Sequence, residues 1–260
     1  MNSNLIKYSN LAQTILRQET RYQANKKIIQ DIFKNPSVAF KDTIQFRLTV
    51  IDSYYSTQMS KRLYGIEDIA NELVKYSDEV LKLEIDNFLQ NPTKGIIKEL
   101  FNKNYGFNKE AKNPKKAISL LSKYLYFLSD CQFPIYDTLG KVSYNLLKDN
   151  KYITSKALTD DNYFELMITL NQTSTIKDFE KLDNLLWLLG KIKEGSFSIL
   201  MDKSKYETIV KQVDFSKAVK SQEKDKAIRR YIQYNYKKSN SFSPMEKEFL
   251  EFAFTLNELQ

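Results

Sequence analysis

Histidine is absent from this chain of 260 residues, and cysteine occurs once, at Cys131. Without histidine there is no Ser-His-Asp or Cys-His nucleophile and no histidine-based nuclease. A single thiol excludes an intrachain disulfide framework, a cysteine-ligated iron–sulfur cluster and the usual zinc sites. Glycine and proline are scarce, at six and five residues, and no Gly-rich phosphate loop is present. No apolar run reaches the roughly 18 residues that a membrane-spanning helix needs. The opening MNSNLIKYSN lacks the apolar core of a signal peptide, so the chain is expected to be soluble and cytoplasmic. Neither a metal nor a cofactor is expected.

What is present is apolar and periodic. Hydrophobic residues make up 42% and aromatics 13%, enough to fold rather than stay disordered. Apolar positions recur at the 3.6-residue period almost throughout, and alternation of period two is nearly missing, which predicts an all-α fold. Helices are expected over one or two segments in 4–34, then 42–55, 66–76, 78–90, 94–103, 114–128, 138–147, 160–171, 176–193, 204–212, 222–236 and 244–258. Ser243 and Glu246 form a capping pair before the last of these. The net charge of +8, from 40 Lys+Arg against 32 Asp+Glu, has the sign for a polyanionic partner but does not identify one.

The most informative stretch is Asn113 to Lys148, which reads as helix, break, helix. Asn113 is placed as an N-cap with Pro114 in the first turn, and Ala117, Leu121, Tyr124 and Leu128 give the apolar face. Ser129-Asp130-Cys131-Gln132 ends that helix; Pro134 holds its predecessor extended, and Asp137 sits where the next helix needs its cap. Lys115 and Lys116 then fall in a first helical turn, where the backbone dipole disfavours cations. A partly desolvated lysine there would serve as an amine nucleophile; a solvated pair at a fraying end is the plain alternative. Asp137 is either a simple cap or a carboxylate aimed at a developing cation, and the two are compatible. Lys116, Ser119, Lys123 and Tyr126 share one stripe, either a polar pocket wall or a wet face. Phe133, Tyr136 and Trp187 could stack on a base or fill a core.

These residues resemble the helix-hairpin-helix DNA glycosylases, the superfamily of endonuclease III and the 8-oxoguanine glycosylases. Lys116-Ala117-Ile118-Ser119-Leu120-Leu121 looks like that family's lysine-bearing helix start, and Pro134-Ile135-Tyr136-Asp137-Thr138 like its aspartate turn. Upstream, the stretch Val50 to Lys61, with Ser56-Thr57-Gln58-Met59-Ser60 in it and a helix from Ile66 to Leu73 after it, is similar to the family's S-x-Q-x-[ST] helix end and its following helix. The family's L-P-G-[VI]-G hairpin is not matched; Gly106 to Pro114 stands in its place without a G-x-G. The lysine-to-aspartate gap is slightly longer than in endonuclease III, which keeps Lys115 and Lys123 as rivals to Lys116.

The resemblance implies two interlocked helical lobes with a DNA-binding cleft, one of residues 45–137 and the other of 1–44 with 138–260. It implies a monomer that takes double-stranded DNA with a damaged or modified base and excises that base, with AP-lyase activity. Lys116 would attack the sugar, Asp137 would stabilise the positive charge on it, and Gln58, or a neighbour such as Tyr55, would fill the gap left by the extruded nucleotide. Lys109, Lys112, Lys115, Arg229 and Arg230 would contact DNA, and Phe133, Tyr136 and Trp187 would line the base pocket. A role in genome repair or in defence against phage DNA is equally compatible. The alternatives are a non-catalytic all-α DNA- or protein-binding domain and, for Glu110-Ala111-Lys112, a nuclease.

Overall fold

A computed structural model of the chain describes residues 4–18, 20–35, 40–110, 112–174, 176–216 and 220–258. Among these there are thirteen α-helices, two short 3₁₀ turns and no named strand, only two isolated β-bridges. The apolar periodicity therefore carries through to an all-α fold. Contacts divide the chain into two compact units, Ala24–Asp137 and Met1–Gln23 with Thr138–Gln260.

In the first unit α2 (Thr20–Lys34), most of which lies here, precedes α3 (Phe40–Tyr55), α4 (Gly65–Leu73), α5 (Asp78–Gln90), α6 (Ile96–Asn102) and α7 (Ile118–Leu128). Helix α7 is the core: every residue from Leu120 to Leu128 is buried, as expected of a helix with neighbours on all sides. It packs against α3, α5 and α6. Ile44, Leu48 and Ile51 of α3 are buried, and Phe33 meets Tyr124 edge-on at 5.1 Å. Arg47, 2% exposed, spans this layer. It pairs with Asp78 at 2.9 Å and donates to the Phe33 carbonyl at 3.1 Å. Burial raises the Tyr124 hydroxyl to about 12.

In the other unit α10 (Phe179–Glu194) is the hub, packed against α1 (Asn4–Gln18), α8 (Thr138–Asp149) and α13 (Pro244–Glu258). Its ends follow standard chemistry. Asp178 accepts from the Lys181 N–H at 3.1 Å, and Gly195 leaves the helix at φ 87°, the left-handed exit glycine allows. Helices α9 (Tyr163–Thr173), α11 (Lys203–Val210) and α12 (Ser221–Asn235) complete it. The Ser243–Glu246 pair forms both bonds of a capping box before α13.

One boundary departs from expectation. Helix α7 starts at Ile118, with Ala117 before it and no side-chain cap, not at Pro114. The Tyr105 N–H donates to the Lys115 carbonyl at 2.8 Å, with the reverse bond at 3.4 Å, and Arg62 donates to the Asn113 carbonyl. Those long-range bonds engage the backbone of residues 113 and 115, so Lys115 and Lys116 precede the helix and do not occupy its first turn.

Candidate functional site

Burial separates the three candidate lysines. Lys115 and Lys116 are exposed, and Lys116 Nζ reaches only Asn102 Oδ1 at 3.4 Å. The desolvation expected of a first-turn lysine is therefore missing at both. Lys123 is 3% exposed, one turn inside the buried helix α7. Its Nζ donates to Ser119 Oγ at 2.8 Å and to the Tyr136 carbonyl at 3.4 Å, and it lies 5.4 Å from the Tyr55 ring centroid. Of these two acceptors one lies on the same helix and the other in the turn ahead of Asp137. Of the stripe Lys116, Ser119, Lys123 and Tyr126, only Lys116 is on the wet side; Tyr126 is buried and accepts from Lys26 Nζ at 3.1 Å.

Helix α7 also fixes the turn ahead of Asp137. The Tyr136 N–H donates to Ser122 Oγ at 2.9 Å, while the Tyr136 carbonyl accepts from Lys123 Nζ. Adjacent residues of one helix thus hold both backbone groups of Tyr136, and its carbonyl belongs to the peptide that joins it to Asp137. Asp137 is half-buried and immediately precedes Thr138, the first residue of α8. A carboxylate at that position is favoured by the exposed N–H groups of the first turn. The Ser122 contact was not legible in the sequence: a serine on a helix has no signal for a partner fourteen residues on.

The second arrangement is the turn after α3. Asp52, 3% exposed, accepts from Thr57 Oγ1 and from the Met59 N–H at 2.9 Å with one oxygen. The other oxygen accepts from the Ser60 N–H at 3.0 Å and from Ser60 Oγ. Burial raises the Asp52 pKa, but the Ser60 and Thr57 hydroxyls and the Ser60 and Met59 N–H groups outweigh it, and the net shift is downward. Around this carboxylate the chain folds so tightly that Ser56 and Gln58 take positive φ, 50° and 64°. Gln58 stands exposed at the apex. Asp52, unremarked in the sequence, is thus the brace that presents it. Tyr55, three residues before Gln58, carries the ring that lies against the Lys123 amine.

The segment before α7 is a lysine-bearing loop. Lys109, Lys112, Lys115 and Lys116 are all exposed. Asn108 Oδ1 accepts from the Lys112 and Asn113 N–H groups at 3.0 and 3.3 Å, which closes its tip. Glu110 is exposed, and Ala111 lies outside the described residues.

The remaining candidates are differently placed. Phe133 is fully buried, with its ring 5.6 Å from Phe88 and 6.3 Å from Phe101, so its position is that of a core residue. Tyr136 is half-buried in the clamped turn. Trp187 belongs to the other unit, where its ring lies 5.3 Å from Tyr22, and Tyr22 donates to Asn184 Oδ1 at 2.8 Å. Arg229 donates to the Lys193 carbonyl at 2.9 Å, closing the end of α10, and burial lowers its pKa; Arg230 beside it is exposed. Among the described residues no group of three or more His, Cys, Asp or Glu side chains is gathered to hold a metal ion, and no helix is long and apolar enough to cross a membrane.

Compared with protein-family models, curated proteins and solved structures, the chain matches none of them.

Proposed function

We propose that the protein is a DNA glycosylase with lyase activity, acting on a damaged or modified base in duplex DNA through a lysine amine and Asp137. The observation that carries this reading is the position of Lys123. Its amine lies between the Tyr55 ring, at the end of the helix that leads to Gln58, and the peptide joining Tyr136 to Asp137. Two stretches that resemble the glycosylases separately, residues 50–61 and 116–138, are thereby adjacent in space. Lysines that act as amine nucleophiles are held desolvated; of the three rivals only Lys123 has that setting, so it takes the role first given to Lys116.

In this mechanism the nucleotide is extruded from the stack, at a cost of a few kcal/mol, and Gln58 enters the space it leaves. The bond from the sugar C1′ to the base breaks; the base leaves with the bonding pair and is then protonated. The Asp137 carboxylate stabilises the cationic sugar. The lysine amine adds to C1′ and the ring opens to an imine. Loss of a proton from C2′ then expels the 3′ phosphate and nicks the strand. Lys109, Lys112, Lys115 and Arg230 contact phosphates.

A second reading has its own support. The contacts of Lys123 with Ser119 and Tyr136 would also suit a purely structural lysine in a non-catalytic DNA-binding domain. Excision assays separate the two. Duplex oligonucleotides carrying different damaged or modified bases are incubated with wild type and with Asp137→Asn, and alkali-labile cleavage is scored. Asparagine caps a helix about as well as aspartate, so the variant should fold while cleavage falls at least a hundredfold, the scale of losing one preorganised charge. Cleavage of no substrate by wild type, with the variant indistinguishable from it, leaves the binding domain.

A further inference from the structure

Two of the six glycines hold the lysine loop against the start of α4. A Cβ on Gly106, at φ 57°, would lie 2.6 Å from the Gly65 Cα, and one on Gly65 would lie 2.3 Å from the Met59 carbonyl oxygen. The backbones therefore touch, and the Leu63–Phe107 bridge, with bonds of 3.0 and 2.9 Å, locks them side by side. The neighbouring side chains are left outside. Tyr64 is 64% exposed, Leu63 45% and Phe107 36%. Tyr64 also takes φ 60° as the residue before α4 and makes no side-chain cap bond there. A bulky aromatic residue in the left-handed region is uncommon, and here neither burial nor capping accounts for it.

The chain on either side of this ledge is rich in lysine. Lys61 precedes it in the chain, and Lys109, Lys112 and Lys115 follow Phe107 in the bonded loop; all four are exposed. Against them stand the exposed carboxylates of Glu67 and Glu110 and the half-buried Asp68, which accepts from the Gly106 N–H at 2.8 Å. Exposed aromatic rings with exposed lysines close by in the chain suit an unpaired base and its flanking phosphates. Base pairs inside a duplex are stacked on both faces and offer none to such a ledge.

We propose that the Leu63–Tyr64–Phe107 ledge is a stacking site for single-stranded DNA. The inference does not rest on the excision chemistry, because neither Tyr64 nor Phe107 takes part in it; failure of that chemistry would leave the ledge standing.

The test is fluorescence anisotropy with the full chain and a labelled oligothymidylate of about 12 nucleotides, within the usual site size of such surfaces. Tyr64→Asn removes the ring with a residue suited to left-handed backbone, and Phe107→Ser removes the second. Each is expected to weaken binding about tenfold, the equivalent of one stacked base, with the salt dependence unchanged, while Tyr64→Phe binds as wild type does. A duplex of the same length closed by a hairpin loop at both ends should lose nothing beyond what its loops contribute. Equal losses on oligothymidylate and on a long duplex with few ends count as loss on the duplex. Wild type that does not bind the oligothymidylate overturns the proposal. So does Tyr64→Asn binding as tightly as wild type, or an equal loss on the duplex. Tighter binding of oligouridylate than oligothymidylate overturns the assignment to DNA.

Discussion

Replacing Asp52 with asparagine tests the turn that presents Gln58 without touching Gln58 itself. The carboxylate accepts four hydrogen bonds, two on each oxygen, from Thr57, Met59 and Ser60. Asparagine has one acceptor oxygen, so it keeps at most two of them and sets an NH₂ group against the others. Bonds to a charged acceptor are worth about 1.5–3 kcal/mol each, so losing two costs about 3–6 kcal/mol. In a chain of this size that is a fall of about 10 °C in melting temperature, followed by circular dichroism. The pH dependence has a definite sign. A carboxyl whose pKa is depressed in the fold stabilises it fully above the unfolded value, near 3.8, and loses that contribution as pH falls through the folded value. The gap between wild type and variant should therefore be widest at neutral pH and should narrow in acid below about pH 4. A variant that melts with the wild type at neutral pH, or a gap that widens on acidification, would refute the assignment of Asp52 as the brace.

Two further outcomes are expected. Reversing charge with Lys109→Glu and Lys112→Glu should weaken duplex binding about equally for all sequences and flatten its salt dependence by about 0.9 per lost phosphate contact, read from anisotropy titrations over a range of salt. Gly106→Ala places a methyl group against the Gly65 backbone in a left-handed conformation and should destabilise the protein by more than about 1 kcal/mol in urea melts.

The helices were legible because each carries its own period and, in several cases, its own cap, as Ser243 and Glu246 do before α13. The break after Leu128 was legible too, and Asp130 and Cys131 turn there at φ 52° and 68°. The start of α7 was not. Asn113-Pro114 is a good local signal for a helix start, but the Tyr105–Lys115 and Arg62–Asn113 bonds compete for the same backbone from ten and more residues away, and local pattern contains no record of them. The same limit governs the candidate site. Asp137 before a helix follows from its neighbours in sequence. That Lys123 is buried while Lys116 is exposed follows instead from α7 being surrounded by α3, α5 and α6. Phe133, a candidate for stacking on a base, lies among Phe88 and Phe101 for the same reason: its neighbours come from other helices.

Covalent trapping tests the central claim most directly, because borohydride reduces an imine between protein and sugar to a stable amine. Wild-type protein incubated with borohydride and the duplex substrate found by the excision screen should give a cross-linked band on a denaturing gel. Lys123→Gln retains hydrogen-bonding capacity toward Ser119 and Tyr136 while removing the amine, so it should bind the same duplex but give no band, with Lys115→Gln and Lys116→Gln still trapped. A band that persists in Lys123→Gln and disappears in Lys116→Gln contradicts the assignment of the buried lysine. The absence of any band from wild type on a substrate it cleaves contradicts the lysine mechanism as a whole.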